Sequence, residues 1–181
     1  MNEYDARDIL LASEEIADAE RVQASLDRLG REISAALHDR FPLVLPVMGG
    51  AIVFAGQLLP RLDFPLEFDY LHVTRYRGKT QGGAIDWRVL PGKAVAGRTV
   101  LVMDDILDEG ETLFAVKQKL QEMGAARIYS AVLADKQIGR AKPIQADFVG
   151  LQVPDRFVFG CGMDAYGLWR NLPTIRALKA E

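Results

Sequence analysis

The chain has 181 residues, a net charge of −3 and 49% hydrophobic residues, with a mean hydropathy of +0.02 and a pI near 5.5. That is enough for one domain with an ample core, and we read 1–181 as a single unit with its core over about 40–152. No apolar run approaches the roughly 18 to 20 residues of a membrane span, the N-terminus is acidic where a signal peptide is basic and then apolar, and no basic face suits nucleic acid. A cytoplasmic protein is expected, and its one cysteine, Cys161, excludes an internal disulfide or a cysteine-based zinc cluster.

In chain order, residues 13–38 read as one helix. Ser13 with Glu14 and Glu15 makes a start signal, and Ile16, Val22, Leu26, Leu29, Ile33 and Leu37 keep helical spacing. Gly30 is a point at which it bends or breaks, and His38 near its end is a solvated charge partner for the C-terminus. Residues 43–47 form a short buried strand that runs into Met48, Gly49 and Gly50, then an apolar helix ending near Leu59. A double glycine there allows a diphosphate to approach bare amides; by itself it is an ordinary tight turn. Residues 66–76 alternate as a strand, which makes His72 a paired sheet residue. Residues 75–84, RYRGKTQGGA, are polar and glycine-rich, and 86–90 returns antiparallel, the shape of a flexible flap.

Residues 99–113, TVLVMDDILDEGETL, carry the densest chemistry. The apolar run 99–103 predicts a strand buried on both faces. Asp104 and Asp105 follow it directly, and Asp108, Glu109, Gly110, Glu111 and Thr112 make a loop before a helix. Leu113, Val116, Leu120 and Met123 form the apolar stripe of that helix, and Gly124 caps it. A strand, a glycine turn and a helix put free amides at the carboxyl end of a sheet, a place for phosphate. Each amide bond to a charged oxygen contributes roughly 1.5 to 3 kcal/mol, while a like charge about 5 Å away in watery surroundings costs on the order of 1 kcal/mol. Glu109 and Glu111 therefore do not exclude a phosphate. The Gly-Lys-Ser/Thr ending of nucleoside-triphosphate loops is absent.

Further on, 127–134 reads as a strand followed by Asp135 and Lys136, and 146–151 as a last core strand. Residues 153–170, VPDRFVFGCGMDAYGLWR, close the pattern. Taken alone, Lys136 is a solvent-reaching lysine, Phe157 a core aromatic and Asp164 a turn residue.

The stretch 102–113 resembles the signature of the type I phosphoribosyltransferases: two acidic residues, two apolar residues, Asp, a small residue, Gly, any residue and Thr after a buried strand. Across 43–172 the other motifs resemble the hypoxanthine-guanine phosphoribosyltransferases. The resemblance implies an α/β fold, a parallel five-stranded sheet flanked by helices, with a small hood from the C-terminal segment and the N-terminus. It implies transfer of a 5-phosphoribosyl group from phosphoribosyl diphosphate to hypoxanthine or guanine, with xanthine preference or a regulatory nucleotide-binding role as the alternatives.

The same resemblance implies the site. Met48 and Gly49 would contact pyrophosphate, commonly through a cis peptide, and Tyr76 would belong to the closing flap. Asp104 and Asp105 would address the ribose hydroxyls, and the turn from Asp108 through Glu109, Gly110, Glu111 and Thr112 would hold the 5-phosphate. Asp108 would handle the proton at N7 of the base and Lys136 would donate to its 6-oxo group. Phe157 would stack on the purine, the Val158 backbone would read its edge, and Arg170 would lie near pyrophosphate. Magnesium is implied, with Asp164 as a ligand and Asp104 and Asp105 reaching it through water. Cys161 and Ala165 stand where tyrosines are common. Relatives are homodimers or homotetramers, and the sequence leaves the oligomeric state open.

Overall fold

The structure is a computed structural model and describes residues 6–75 and 85–179. A short helix α1 (Ala6–Leu11) and strand β1 (Ser13–Ala17) precede the long helix α2 (Ala19–Leu37). Strand β2 (Leu43–Met48) leads into helix α3 (Ala51–Leu58), and β3 (Glu67–Phe68), β4 (Leu71–Arg75) and β5 (Ile85–Val89) follow. Then come β6 (Thr99–Leu107), helix α4 (Glu111–Glu122), β7 (Arg127–Gln137), β8 (Phe148–Pro154), β9 (Val158–Phe159) and β10 (Ile175–Leu178).

The main sheet has the order β5-β4-β2-β6-β7-β8, with β3 also on β2. Its pairings are parallel except for β5 on β4. The expected five parallel strands are present as β4, β2, β6, β7 and β8, and two short strands extend them. Pro46 interrupts nothing: β3 pairs with β2 at Leu43 and Val44 and β4 pairs at Val47 and Met48, so the proline falls between the two partners.

Alternation sorts the core onto two faces. Leu101, Met103, Ala131 and Leu133 pack on one face with Leu26, Leu29 and Ile33 of α2 and Phe54 of α3. Val100, Val102 and Val132 point the other way, onto Leu113, Val116 and Leu120 of α4. With helices on opposite faces, the strand order reverses between β2 and β6. That crevice, at the carboxyl ends of the strands, is where such sheets bind ligands.

The N-terminal region departs from the reading of one helix over 13–38. Ser13–Ala17 is a strand, paired antiparallel with β10, and the helix starts at Ala19 with Asp18 as its cap, Asp18 Oδ1 accepting from Arg21 N at 2.8 Å. Ser13 instead sends its hydroxyl to Leu10 O at 2.6 Å and accepts from Arg176 Nε at 2.8 Å. The partner strand lies at the far end of the chain, beyond the reach of a local start signal. Gly30 does not break α2, which runs through it. It is buried where Arg61 passes, and a Cβ there would lie 2.8 Å from the Arg61 Cβ.

Strand β6 is longer than the apolar run implied. Asp104 pairs in register with Val132, Ile106 with Ala134 and Leu107 with Asp135, so the aspartate pair lies within the strand and not after it. The strand expected over 66–76 is divided at Asp69 and Tyr70 into β3 and β4; Asp69 accepts from Tyr70 N and Lys93 N, both at 2.8 Å, which turns the chain there. The antiparallel return expected over 86–90 is present as β5 on β4, while residues 76–84 of the flap, Tyr76 included, lie outside the described residues. Helix α4 ends as expected at Gly124 (φ 84), with Ala125 N donating to Leu120 O and Gly124 N to Gln121 O.

A second sheet, β1-β10-β9, is antiparallel and joins both ends of the chain beside the carboxyl edge of the main sheet. Arg156 holds it from below, paired with Glu14 and donating to Leu178 O. Among the described residues no helix is long and apolar enough to cross a membrane.

Candidate active site

A cleft of about 910 Å³ opens at the crevice between β2 and β6. Its floor is the buried end of β6. Asp104 and Asp105 are only 8% and 9% exposed, and Asp105 N donates to Asp104 Oδ1 at 3.0 Å. Burial raises both carboxyls above the ordinary range, Asp104 further because the Asp105 charge adds to it; hydrogen bonds with Asp104 and the Ile106 backbone, and then the Arg170 charge, pull Asp105 part of the way back. Period-2 alternation sends the two side chains to opposite faces. Asp105 meets Gly50, where a Cβ would strike its carboxylate, and Gly162, where a Cβ would strike the Gly50 carbonyl. Two glycines therefore let β6, the turn after β2 and the segment after β9 come together.

The walls are two turns. Met48, Gly49 and Gly50 line the cleft at the start of α3, and the Met48–Gly49 peptide is cis. Across from them Asp108, Glu109, Gly110, Glu111 and Thr112 line it at the start of α4. Gly110 caps that helix in the left-handed region, φ 88, which only glycine adopts freely. The first-turn N–H groups of α4 have no intrahelical acceptors and belong to residues at the cleft wall. Glu109 turns to Arg140, Oε1 accepting from Nη2 at 2.9 Å, and its charge is thus met from outside the turn.

Lys136 Nζ donates to Asp108 Oδ2 at 3.0 Å, so the two residues singled out for proton handling and base selection meet at one point. Lys142, 10% exposed at its side chain, supports them. Its Nζ donates to Leu107 O at 2.7 Å and to Asp135 Oδ1 at 2.6 Å, the residues just before Asp108 and Lys136.

Phe157, Val158 and Asp164 are not among the residues lining this cleft. Val158 is buried in β9, with Ala177 opposite. Phe157 is 41% exposed. Asp164 Oδ1 accepts from Arg170 Nη2 at 2.6 Å and its Oδ2 from Gly167 N at 2.7 Å; Arg170 also donates to Gly162 O and does line the cleft. The sequence reading missed Ile106, Ile138, Arg140 and Asp155, which line the cleft, and the supporting Lys142. Arg140 and Lys142 sit in a polar loop with no periodicity, and their partners lie on other elements.

The donor set suits a magnesium ion. Among the described residues no group of three His, Cys, Asp or Glu could hold a metal by itself, but magnesium is bound by one or two carboxylates with substrate phosphates and water completing the shell. Asp104 and Asp105 offer carboxylate oxygens at the cleft floor, where burial raises both above the ordinary carboxylate range. Each Asp164 oxygen keeps a second lone pair beyond its one hydrogen bond.

Comparison with known proteins agrees with this geometry. The phosphoribosyl transferase domain model matches residues 12–166. The chain is 36% identical over 180 residues to the hypoxanthine-guanine phosphoribosyltransferase of Bacillus subtilis, covering 99% of this chain and 97% of that protein. It is 32% identical over 182 residues to the enzyme of that name from Streptococcus pneumoniae, covering 100% of this chain and 98% of that one. A crystal structure of a hypoxanthine phosphoribosyltransferase from Staphylococcus aureus superposes with a TM-score of 0.86 at 30% identity, covering 92% of this chain and 91% of that one. A hypoxanthine-guanine-xanthine phosphoribosyltransferase structure gives 0.83, also at 30% identity, over 92% and 97%. From the buried aspartate pair to the full-length matches, the chain belongs to the phosphoribosyltransferase family, on its hypoxanthine-guanine branch.

Proposed function

We propose that this protein transfers the 5-phosphoribosyl group from phosphoribosyl diphosphate to N9 of hypoxanthine or guanine, releasing pyrophosphate and giving IMP or GMP. The observation that carries this reading is the Lys136–Asp108 pair at the rim of the phosphate turn. One partner is a fixed cation that donates to an oxygen. The other is a carboxylate that accepts a proton. A 6-oxopurine offers both complements on one edge, O6 to Lys136 and N7–H to Asp108.

The α4 turn receives the 5-phosphate on its amides, with the Thr112 hydroxyl as a further donor. Asp104 and Asp105 take the ribose hydroxyls, fixing one face of the sugar. Met48, Gly49 and Arg170 lie on the pyrophosphate side, where Arg170 stabilises the charge that develops as the leaving group departs. Asp108 accepts the N7 proton as N9 attacks the anomeric carbon, a contribution typically worth a hundred- to ten-thousandfold in rate. Phe157 stacks on the base and the Val158 backbone reads its edge. Tyr76 and the flap exclude water. Asp164, with Asp104 and Asp105 through water, would hold magnesium together with the substrate, and the ion would supply neutralisation of diphosphate charge.

The substrates are small molecules, and we place the reaction in the cytoplasm because a highly charged sugar diphosphate does not cross membranes unaided. We also propose a homodimer or homotetramer, as for the relatives implied by the sequence resemblance; gel filtration with light scattering tests it, and a monomer would refute it.

Pyrophosphate release from phosphoribosyl diphosphate and magnesium, with hypoxanthine, guanine, xanthine, adenine and orotate supplied in turn, tests the function. Rapid turnover with the first two is expected. Xanthine is the second reading, favoured by the similarity to the hypoxanthine-guanine-xanthine enzyme, and turnover with xanthine alone would shift the assignment to it. Binding without turnover for every base would overturn the enzyme reading.

A further inference from the structure

The Phe157 ring has a companion. Tyr166, between β9 and β10, lies against it with centroids 5.6 Å apart and planes at 11°. The backbone that brings it there is unusual. Tyr166 has φ 54 and Gly167 φ 85, and Leu168 N donates to Ala165 O at 2.9 Å. This is a two-residue turn with both central residues left-handed, a conformation that favours Asn-Gly and seldom takes a bulky aromatic at its first position. Asp164 Oδ2 fixes the turn by accepting from Gly167 N. A tyrosine thus stands where an asparagine would be easier, and its ring stacks on Phe157. Covered on one side, Phe157 still keeps 41% of its surface open.

We infer that Tyr166 is a positioning residue for the nucleobase: it backs the Phe157 ring and fixes its plane, leaving the other face open to stack on a purine. This rests on the proposed role of Phe157. A ring held in one orientation before the base arrives loses less rotational freedom on binding than an unsupported one. Tyr166 acts on the base through Phe157.

The test compares the parent protein with Tyr166→Asn, Tyr166→Phe and Phe157→Leu in steady-state transfer to hypoxanthine, varying each substrate in turn. Asparagine suits the turn, so the melting temperature of Tyr166→Asn should match or exceed that of the parent. Its KM for hypoxanthine should rise about two- to tenfold, the range of an aromatic pair, while the KM for phosphoribosyl diphosphate stays within about twofold, because the sugar diphosphate is held by other residues. Tyr166→Phe, which keeps the ring, should restore the base KM. An unchanged or lowered base KM in Tyr166→Asn overturns the inference. If Phe157→Leu still raises it, the stacking role of Phe157 survives and only that of Tyr166 fails. If neither variant moves it, both fail.

Discussion

Lys136 Nζ lies 3.0 Å from Asp108 Oδ2, joining β7 to the turn that opens α4. The two residues are 28 apart in sequence, and register brings them together: Leu107 and Asp135, the preceding residues, are opposite each other in the β6–β7 ladder. The free protein therefore keeps the two residues proposed for base selection and proton acceptance in contact.

Asp108→Asn should cut kcat by about a hundred- to ten-thousandfold while nucleotide binding persists, since asparagine keeps the shape and loses the proton acceptor. Single-turnover kinetics with isothermal titration of IMP checks both halves. Undiminished turnover would remove Asp108 from the mechanism. Lys136→Met should bring the efficiencies with hypoxanthine and adenine together, because a buried donor facing the adenine amino group costs roughly 1 to 3 kcal/mol that the variant no longer imposes.

Lys142 is the hidden support of this pair. Lys142→Met should destabilise the fold by roughly 3 kcal/mol, because it leaves Asp135 without its cation in a partly buried place. The double change Lys142→Met with Asp135→Leu removes both charges and should recover most of the loss. Urea unfolding of the two variants measures this. A single variant as stable as the parent would show that the contact contributes little.

The buried aspartates make stability depend on pH for the protein in chelator, without substrate or metal. Asp104 has a folded-state pKa raised above its ordinary 3.8 by burial and by Asp105. Between those two values the folded state binds more protons than the unfolded chain, so stability falls as pH rises through that window, and the penalty is complete above the raised value. Asp104→Asn should therefore melt higher than the parent at neutral pH. Each pKa unit relieved is worth about 1.4 kcal/mol, or about 3 to 6 °C. The advantage should shrink as pH falls towards about 4. Melting curves from neutral to acid pH decide it; an advantage that grew on acidification would contradict the sign.

Burial pushes the Cys161 thiol up to about 11. Thiolate is the reactive form, so Cys161 should resist a disulfide exchange reagent at mildly alkaline pH in the folded protein and react fully in denaturant. Fast labelling of the native protein would mean that the segment after β9 opens readily.

Patterns with a local cause were legible in the chain. The run 99–103 was a buried strand because both faces of β6 meet helices, and the α4 stripe of Leu113, Val116 and Leu120 faced the sheet as its spacing required. Ser13–Ala17 misled because its strand character comes from β10, at the other end of the chain. Phe157 shows a similar limit: taken alone it read as a core aromatic, yet it is 41% exposed, and nothing in the spacing places Tyr166 upon it.

By itself the sequence determined which residues are chemically equipped, since two aspartates after a core run, a glycine turn and a helix start carry their charge and backbone freedom wherever they lie. Only the tertiary structure decided which of them act together. Lys136 reaches Asp108, Arg140 reaches Glu109 and Lys142 spans Leu107 and Asp135, and these distances follow from strand register and close glycine packing. Both are properties of contacts between segments far apart in the chain, to which local spacing is blind.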